Sequence, residues 1–130
     1  MNSYRQEAYG KASFAVATLG AREGYDGKKE YSLDEILSML DEINKDRSLK
    51  QFPTLNCMVS EAHLVGRSGD SSYREKLYKL NFAQSPRFKN LSSGDFFVIV
   101  KEYAFTLGSS MKQQRVYIDF ENYTHVFKIQ

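Results

Sequence analysis

Three short stretches carry residue types that recognise a planar or phosphorylated ligand. The first is a glycine loop, Leu19-Gly20-Ala21-Arg22-Glu23-Gly24-Tyr25, bearing Arg22 and Tyr25. In the second, Asn81-Phe82-Ala83-Gln84-Ser85-Pro86-Arg87-Phe88, a proline-stiffened turn holds Arg87 between Phe82 and Phe88. The third, Gln113-Gln114-Arg115-Val116, delivers Arg115 at a strand entrance. A guanidinium donates paired hydrogen bonds to a phosphate, and an aromatic face stacks on a base. Arg22, Tyr25, Asn81, Phe82, Arg87, Phe88 and Arg115 are therefore the candidate ligand-binding residues. Arg87 and Arg115, aided by Asn81 and Tyr25, would together neutralise a diphosphate if the segments converge.

Other chemistries find little support. A transition metal wants three or four clustered Cys, His or carboxylate ligands, but His63, His125 and Cys57 are the whole soft-ligand supply. Six residues separate Cys57 from His63 on one predicted strand, which at ~3.3 Å per residue puts them more than ~14 Å apart and disfavours a Cys-His pair. Neither a phosphate-binding Gly-x-x-x-x-Gly-Lys loop nor a Gly-x-Ser-x-Gly nucleophile turn occurs. The loop Gly66 to Ser72 has backbone donors for a phosphate, but such Gly/Ser loops are ordinarily hairpin connections. Asp34, Glu35, Asp41 and Glu42 read as the solvated face of a helix. The expectation is a chain with no catalytic residues, no metal and no cofactor.

Composition narrows the partners. Of 130 residues 42% are apolar and 26% charged, proportions of an ordinary globular domain, so 1–130 reads as one domain with residues 1–12 as an N-terminal extension. The 18 basic and 16 acidic residues are interspersed and leave a net charge of +2, without the basic stripe that DNA or RNA requires. A lone Cys57 excludes an internal disulfide. No window approaches the ~18 apolar residues of a membrane span, and the first residues lack the apolar core of a signal peptide, so a cytoplasmic location is expected.

The elements that must position these residues follow from periodicity. Residues 13 to 19 form a short apolar run stopped by Gly20, a buried strand. Ser32 with Glu35 is a capping box, Tyr31 with Ile36 a hydrophobic staple, and Leu33, Ile36, Leu37, Leu40 and Ile43 repeat at helical spacing; a helix from Leu33 to Asn44 is predicted. A second strand runs from Thr54 to Val65 and a third from Glu75 to Phe82, joined as a hairpin through the 66 to 74 loop. Ser92, Ser93 and Asp95 start a second helix that Gly108 stops. Arg115 to Phe120 alternates as a fourth strand, and Asn122 turns the chain into a terminal strand, His125 to Ile129. The order is an α+β, ferredoxin-like β-α-β-β-α-β sheet with an extra C-terminal strand and two helices on one face. The other face is then open, and an aromatic content of 14% makes a homo-oligomer the expected way to cover it.

In this order of elements, Leu19-Gly20 followed by Gly24-Tyr25, a capped helix, Asn81 with Pro86-Arg87-Phe88, and Arg115-Val116 with Ile118 and Phe120, the chain resembles the phage Thoeris anti-defence sponge proteins over residues 13 to 127. That resemblance implies a phage-encoded, homo-oligomeric binder in the host cytoplasm. It would sequester a cyclic ADP-ribose-like signalling nucleotide without cleaving it, and so block antiviral defence. Two alternatives stand beside it. One is a tautomerase-like or other ferredoxin-like isomerase using Tyr or Arg, since Met1-Asn2 replaces the N-terminal proline base of tautomerases; the other is a protein interaction module docking through the open sheet face.

Overall fold

Ser32 and Glu35 do what their spacing predicts. In the computed structural model, which describes residues 3–9, 13–24, 27–84 and 91–130, the Glu35 N–H donates to Ser32 Oγ at 3.2 Å and the Ser32 N–H to Glu35 Oε1 at 3.0 Å. This closes the box that starts helix α1, Leu33–Leu49. The chain order is β1 (Ser13–Gly20), α1, β2 (Asn56–Ser68), β3 (Ser71–Gln84), α2 (Ser93–Ser110), β4 (Arg115–Phe120) and β5 (Tyr123–Lys128). All strand pairs are antiparallel in one sheet of order β2-β3-β1-β4-β5. This is the expected α+β, ferredoxin-like arrangement, with β5 added outside β4. Residues 3–9 lack regular structure and are exposed.

Strand pleat divides the sheet into two unlike faces, because side chains two apart point the same way. Ala15, Ala17 and Leu19 of β1, Tyr78, Leu80 and Phe82 of β3, and Val116 and Ile118 of β4 are buried together. They meet Ile36 and Leu40 of α1 and Phe96, Val100, Tyr103 and Leu107 of α2 in one core cluster. Each Val, Leu, Ile or Phe side chain among them removed from water contributes about 1.5–3 kcal/mol. The alternate residues form the open face, where Phe14 is 67% and Met58 75% exposed.

Several boundaries differ from the sequence expectation. Helix α1 runs to Leu49 rather than Asn44 because Arg47 in its last turn is anchored from outside. The Arg47 guanidinium lies 2.6 Å from Glu102 on α2 and 5.2 Å from the Tyr103 ring, and its Nε donates to Pro53 O at 2.7 Å. Gln51 (φ 61°), not a glycine, takes the left-handed position after it. Strands β2 and β3 continue through the expected 66 to 74 loop and turn only at Gly69 (φ 60°) and Asp70, so Gly66 and Tyr73 face each other as ladder partners. Helix α2 passes through Gly108 to Ser110, because that glycine serves packing rather than termination. Strand β5 begins at Tyr123, after a tight turn with Glu121 (φ 50°) and Asn122 (φ 69°) both left-handed.

Ser32→Ala is expected to lower stability by about 1 kcal/mol through loss of the cap. Leu40→Ala, at a position 6% exposed, is expected to cost about 2–5 kcal/mol through the cavity it leaves. Urea melts in which both variants equal the wild type would contradict this packing of α1.

Candidate functional site

On the open face, where β1 ends, lies a cavity of about 800 Å³ walled by β3, β4 and the loop after β1. The pleat explains which side chains reach it: Thr18, Glu75, Leu77, Tyr117 and Asp119 are the residues that alternate with the core positions. Its floor is tied together by Gln113, just past the end of α2. The Gly20 N–H donates to Gln113 Oε1 at 3.0 Å, and Gln113 Nε2 donates to Arg22 O at 2.7 Å. The loop is closed from its other end as well. Ala21 N–H donates to Lys76 O at 3.0 Å, Tyr31 N–H to Ala21 O at 2.8 Å, and the Tyr78 hydroxyl to Tyr31 O at 2.7 Å. The Tyr31 hydroxyl donates to Glu23 Oε1 at 2.9 Å, and burial together with that carboxylate pushes the phenol pKa up.

Charge in the cavity is bipolar. A Cβ placed on Gly20 would stand 3.2 Å from Gln113 Oε1 and 3.3 Å from Glu75 Oε1, so two oxygen acceptors crowd the same bare stretch of backbone. They form a pole suited to a cationic group. Arg22 and Arg115 line the same cavity and supply the opposite charge, with Glu30, Asp119 and Lys76 also in its wall, while Arg74 alternates with Glu75 onto the other face of β3. A ligand carrying both an ammonium or sulfonium and a carboxylate matches this arrangement.

The structure redistributes the residues expected from sequence. Arg22 and Arg115 come together in the cavity. Asn81 lies on the open face but in a second hollow of about 1120 Å³, beside Met58, whose carbonyl accepts from its Nδ2 at 3.5 Å. No charged side chain among the described residues lines that hollow. Phe82 is corrected from ligand platform to core: it is 1% exposed and packs edge-on against Tyr103, centroids 5.5 Å apart. Tyr25, Arg87 and Phe88 lie outside the described residues. Glu75, Gln113 and Tyr73 were missed. Tyr73 continues the period-2 alternation of Leu77 and Glu75 outward, a signal hidden by reading 66 to 74 as loop; Glu75 stood inside the expected third strand but carried no sign of which face it takes.

Cys57 is half-buried, and burial pushes its thiol up to about 12, which leaves it protonated at neutral pH. Among the described residues no group of three His, Cys, Asp or Glu is placed to hold a metal ion. No helix among them is long and apolar enough to cross a membrane.

Fold and cavity together define an α+β sheet domain with a polar pocket on its uncovered face. No protein-family model and no curated protein matches the chain. Two solved structures share its fold. One, described as a phage SAM lyase in complex with S-methyl-5′-thioadenosine, superposes with a TM-score of 0.61 at 15% identity, over 97% of this chain and 96% of that one. The other, a phage SAM lyase in the apo state, gives a TM-score of 0.65 at 16% identity and covers 98% of both chains.

These matches correct the functional expectation drawn from the sequence. The whole-chain fold is shared with a lyase, so the resemblance to Thoeris sponge proteins is withdrawn. With it go sequestration of a cyclic ADP-ribose signal and the assignment as a non-enzyme. The tautomerase-like and sheet-docking alternatives are displaced by the same finding.

Gln113→Ala would leave the Gly20 N–H and the Arg22 carbonyl unpaired. The expected cost is about 0.5–1.5 kcal/mol, the net worth of a hydrogen bond whose partners water can reach, read as a lowered denaturation midpoint. An unchanged midpoint would show that Gln113 does not tie the floor of the cavity.

Proposed function

We propose that this chain is a lyase that cleaves S-adenosylmethionine in the bipolar cavity and releases S-methyl-5′-thioadenosine. The observation that carries the reading is that cavity: Glu75 lines one open-face pocket together with Arg22 and Arg115, in a fold shared over nearly the whole chain with a lyase bound to that thioether. The substrate's amino-acid tail is a zwitterion, and its sulfonium supplies a further positive charge. In this reading Glu75 receives the ammonium, and the arginine side of the cavity receives the carboxylate.

The bond to break joins sulfur to the γ-carbon of the aminobutyrate tail, and sulfur keeps the electron pair as a neutral thioether. A lyase consumes no water, so the γ-carbon must be satisfied from within the substrate. Attack by the tail's own carboxylate oxygen on the γ-carbon balances the step, with a five-membered lactone as the second product. That route requires no protein base and no proton donor, because a thioether leaves uncharged. What the protein supplies is conformation, holding the tail curled so that oxygen and carbon meet in line with the departing sulfur. A sulfonium and a carboxylate annihilate each other's charge in this step, so exclusion of water from the pocket accelerates it.

The open face then has to be covered, and a second copy of the chain is the cover this reading assigns. Phe14, Met58, Leu64, Tyr117 and Val126 are exposed apolar residues on that face, and a symmetric interface would bury them while closing the pocket. The substrate is a cytosolic metabolite, which makes the host cytoplasm the place of action.

Purified protein incubated with S-adenosylmethionine is expected to yield S-methyl-5′-thioadenosine and a lactone, followed by chromatography and NMR. Glu75→Gln is expected to lower kcat/KM by about 10- to 100-fold, the worth of a charge-assisted hydrogen bond. Absence of the thioether in the wild type would overturn the reading; full activity in Glu75→Gln would remove Glu75 from the site. Light scattering is expected to return a multiple of the 15.0 kDa chain mass, and a monomer at micromolar concentration would contradict the covered face.

A further inference from the structure

Gly66 sits inside β2, opposite Tyr73 of β3, and has no need of glycine for its backbone angles. The need comes from its partner. A Cβ at Gly66 would lie 2.4 Å from both Cζ and the hydroxyl of Tyr73 and 2.9 Å from Cε2. The Tyr73 ring is therefore laid down across the bare backbone of the facing strand, an arrangement that fixes an aromatic ring against an otherwise empty ladder position. This part of the hairpin has no neighbouring strand beyond its own partner. Pairing with β1 stops at Leu77, whereas β2 and β3 pair out to Ser68 and Ser71.

The ring's place is what gives it a function. Tyr73, Glu75 and Leu77 share one face of β3, and Tyr73 and Glu75 both line the bipolar cavity. With ~3.3 Å per residue, Tyr73 stands about 7 Å from Glu75 along the strand, a spacing that a ribose spans. Tyr73 is 47% exposed, so one side of the ring rests on Gly66 while solvent or ligand reaches the rest. We propose that Tyr73, held flat by Gly66, is the platform on which the purine of the nucleoside stacks. This proposal rests on the lyase reading for the identity of the ligand. It adds that the cavity selects a nucleoside by its base, with the amino-acid tail directed inward to Glu75.

Stacking on a ring whose orientation is already fixed costs little side-chain freedom at binding. Tyr117 also lines the cavity and is 42% exposed, but its neighbours in the ladder are Thr18 and Val126, so no glycine lies beneath it.

The test uses the absence of tryptophan from the chain. Tyr73→Trp introduces a single indole, and titration with S-methyl-5′-thioadenosine is expected to quench it saturably, whereas uridine leaves it much less affected. By calorimetry, Tyr73→Ala and Gly66→Ala are each expected to weaken binding of S-methyl-5′-thioadenosine by roughly 10-fold or more, Tyr73→Phe by less than about twofold, and Tyr117→Ala by less than Tyr73→Ala. Thermal melts of Tyr73→Ala and Gly66→Ala are expected to stay near the wild type, since the ring lies on an exposed ribbon and can swing aside. The proposal is overturned if Tyr73→Ala binds like the wild type, if the indole stays silent while calorimetry detects binding, or if Tyr117→Ala shows the larger loss. A wild type that binds the thioether but does not cleave S-adenosylmethionine ends the lyase reading and leaves the stacking platform standing. A wild type that does not bind it ends both.

Discussion

Helix α2 lies so close to the sheet at Gly108 that an added methyl would press on Val116 of β4 and displace the Ile129 side chain. A Cβ there would stand 2.7 Å from Ile129 Cδ1 and 3.1 Å from Val116 Cγ2. The small residues Ala15 and Ala17 on the covered face of β1 serve the same end, since a helix settles deeply only where the sheet offers no bulk. The depth of α2 decides where its last turn ends. Met111 caps the helix fully buried, Lys112 turns the chain with φ 54°, and Gln113 N–H returns to Gly108 O at 2.8 Å. The Gln113 side chain then reaches both the end of β1 and the loop that follows. A packing constraint on one face of the sheet thus positions a polar pocket on the other.

The two faces divide the work. One is a continuous core in which buried tyrosines keep their hydroxyls paired: Tyr103 accepts from the Leu55 N–H at 2.9 Å and donates to Asn44, and Tyr78 donates to Tyr31 O. Satisfied in this way, large aromatic residues add area without the penalty of an orphaned polar atom. The other face carries Arg115 and Tyr117 on a sheet packed from behind, with Glu75 and Tyr73 on the β2–β3 ribbon just beyond the end of β1. Groups placed on strands are held more firmly than groups on loops, and a reaction that relies on substrate conformation depends on that firmness.

Local chemistry was legible in the sequence, and tertiary chemistry was not. The capping box at Ser32, the alternation of β4 and the element order were readable because each depends on neighbours within a few residues. Arg22 and Arg115 were singled out from their loops, and the cavity unites them. Helix α1 ran past its expected end because Arg47 bonds to Glu102 on another helix, a contact with no local signature. Gly108 and Gly66 misled in the same manner: each looks like punctuation, yet each is small to admit a neighbour, Ile129 in one case and the Tyr73 ring in the other. Taking Gly66 as the start of a loop that ran to residue 74 concealed Tyr73. Phe82 was misplaced for the opposite reason, since a phenylalanine beside an asparagine in a strand gives no sign of which face is covered.

The central claim is that the ligand sits on the open face, where β1, β3 and β4 converge, and not against the helices. Hydrogen exchange by mass spectrometry with and without S-methyl-5′-thioadenosine tests it most directly. Slowed exchange is expected in peptides spanning 20–24, 73–77 and 113–117, with α1 unchanged. Protection confined to the helices, or to the hollow around Met58 and Asn81, would contradict it.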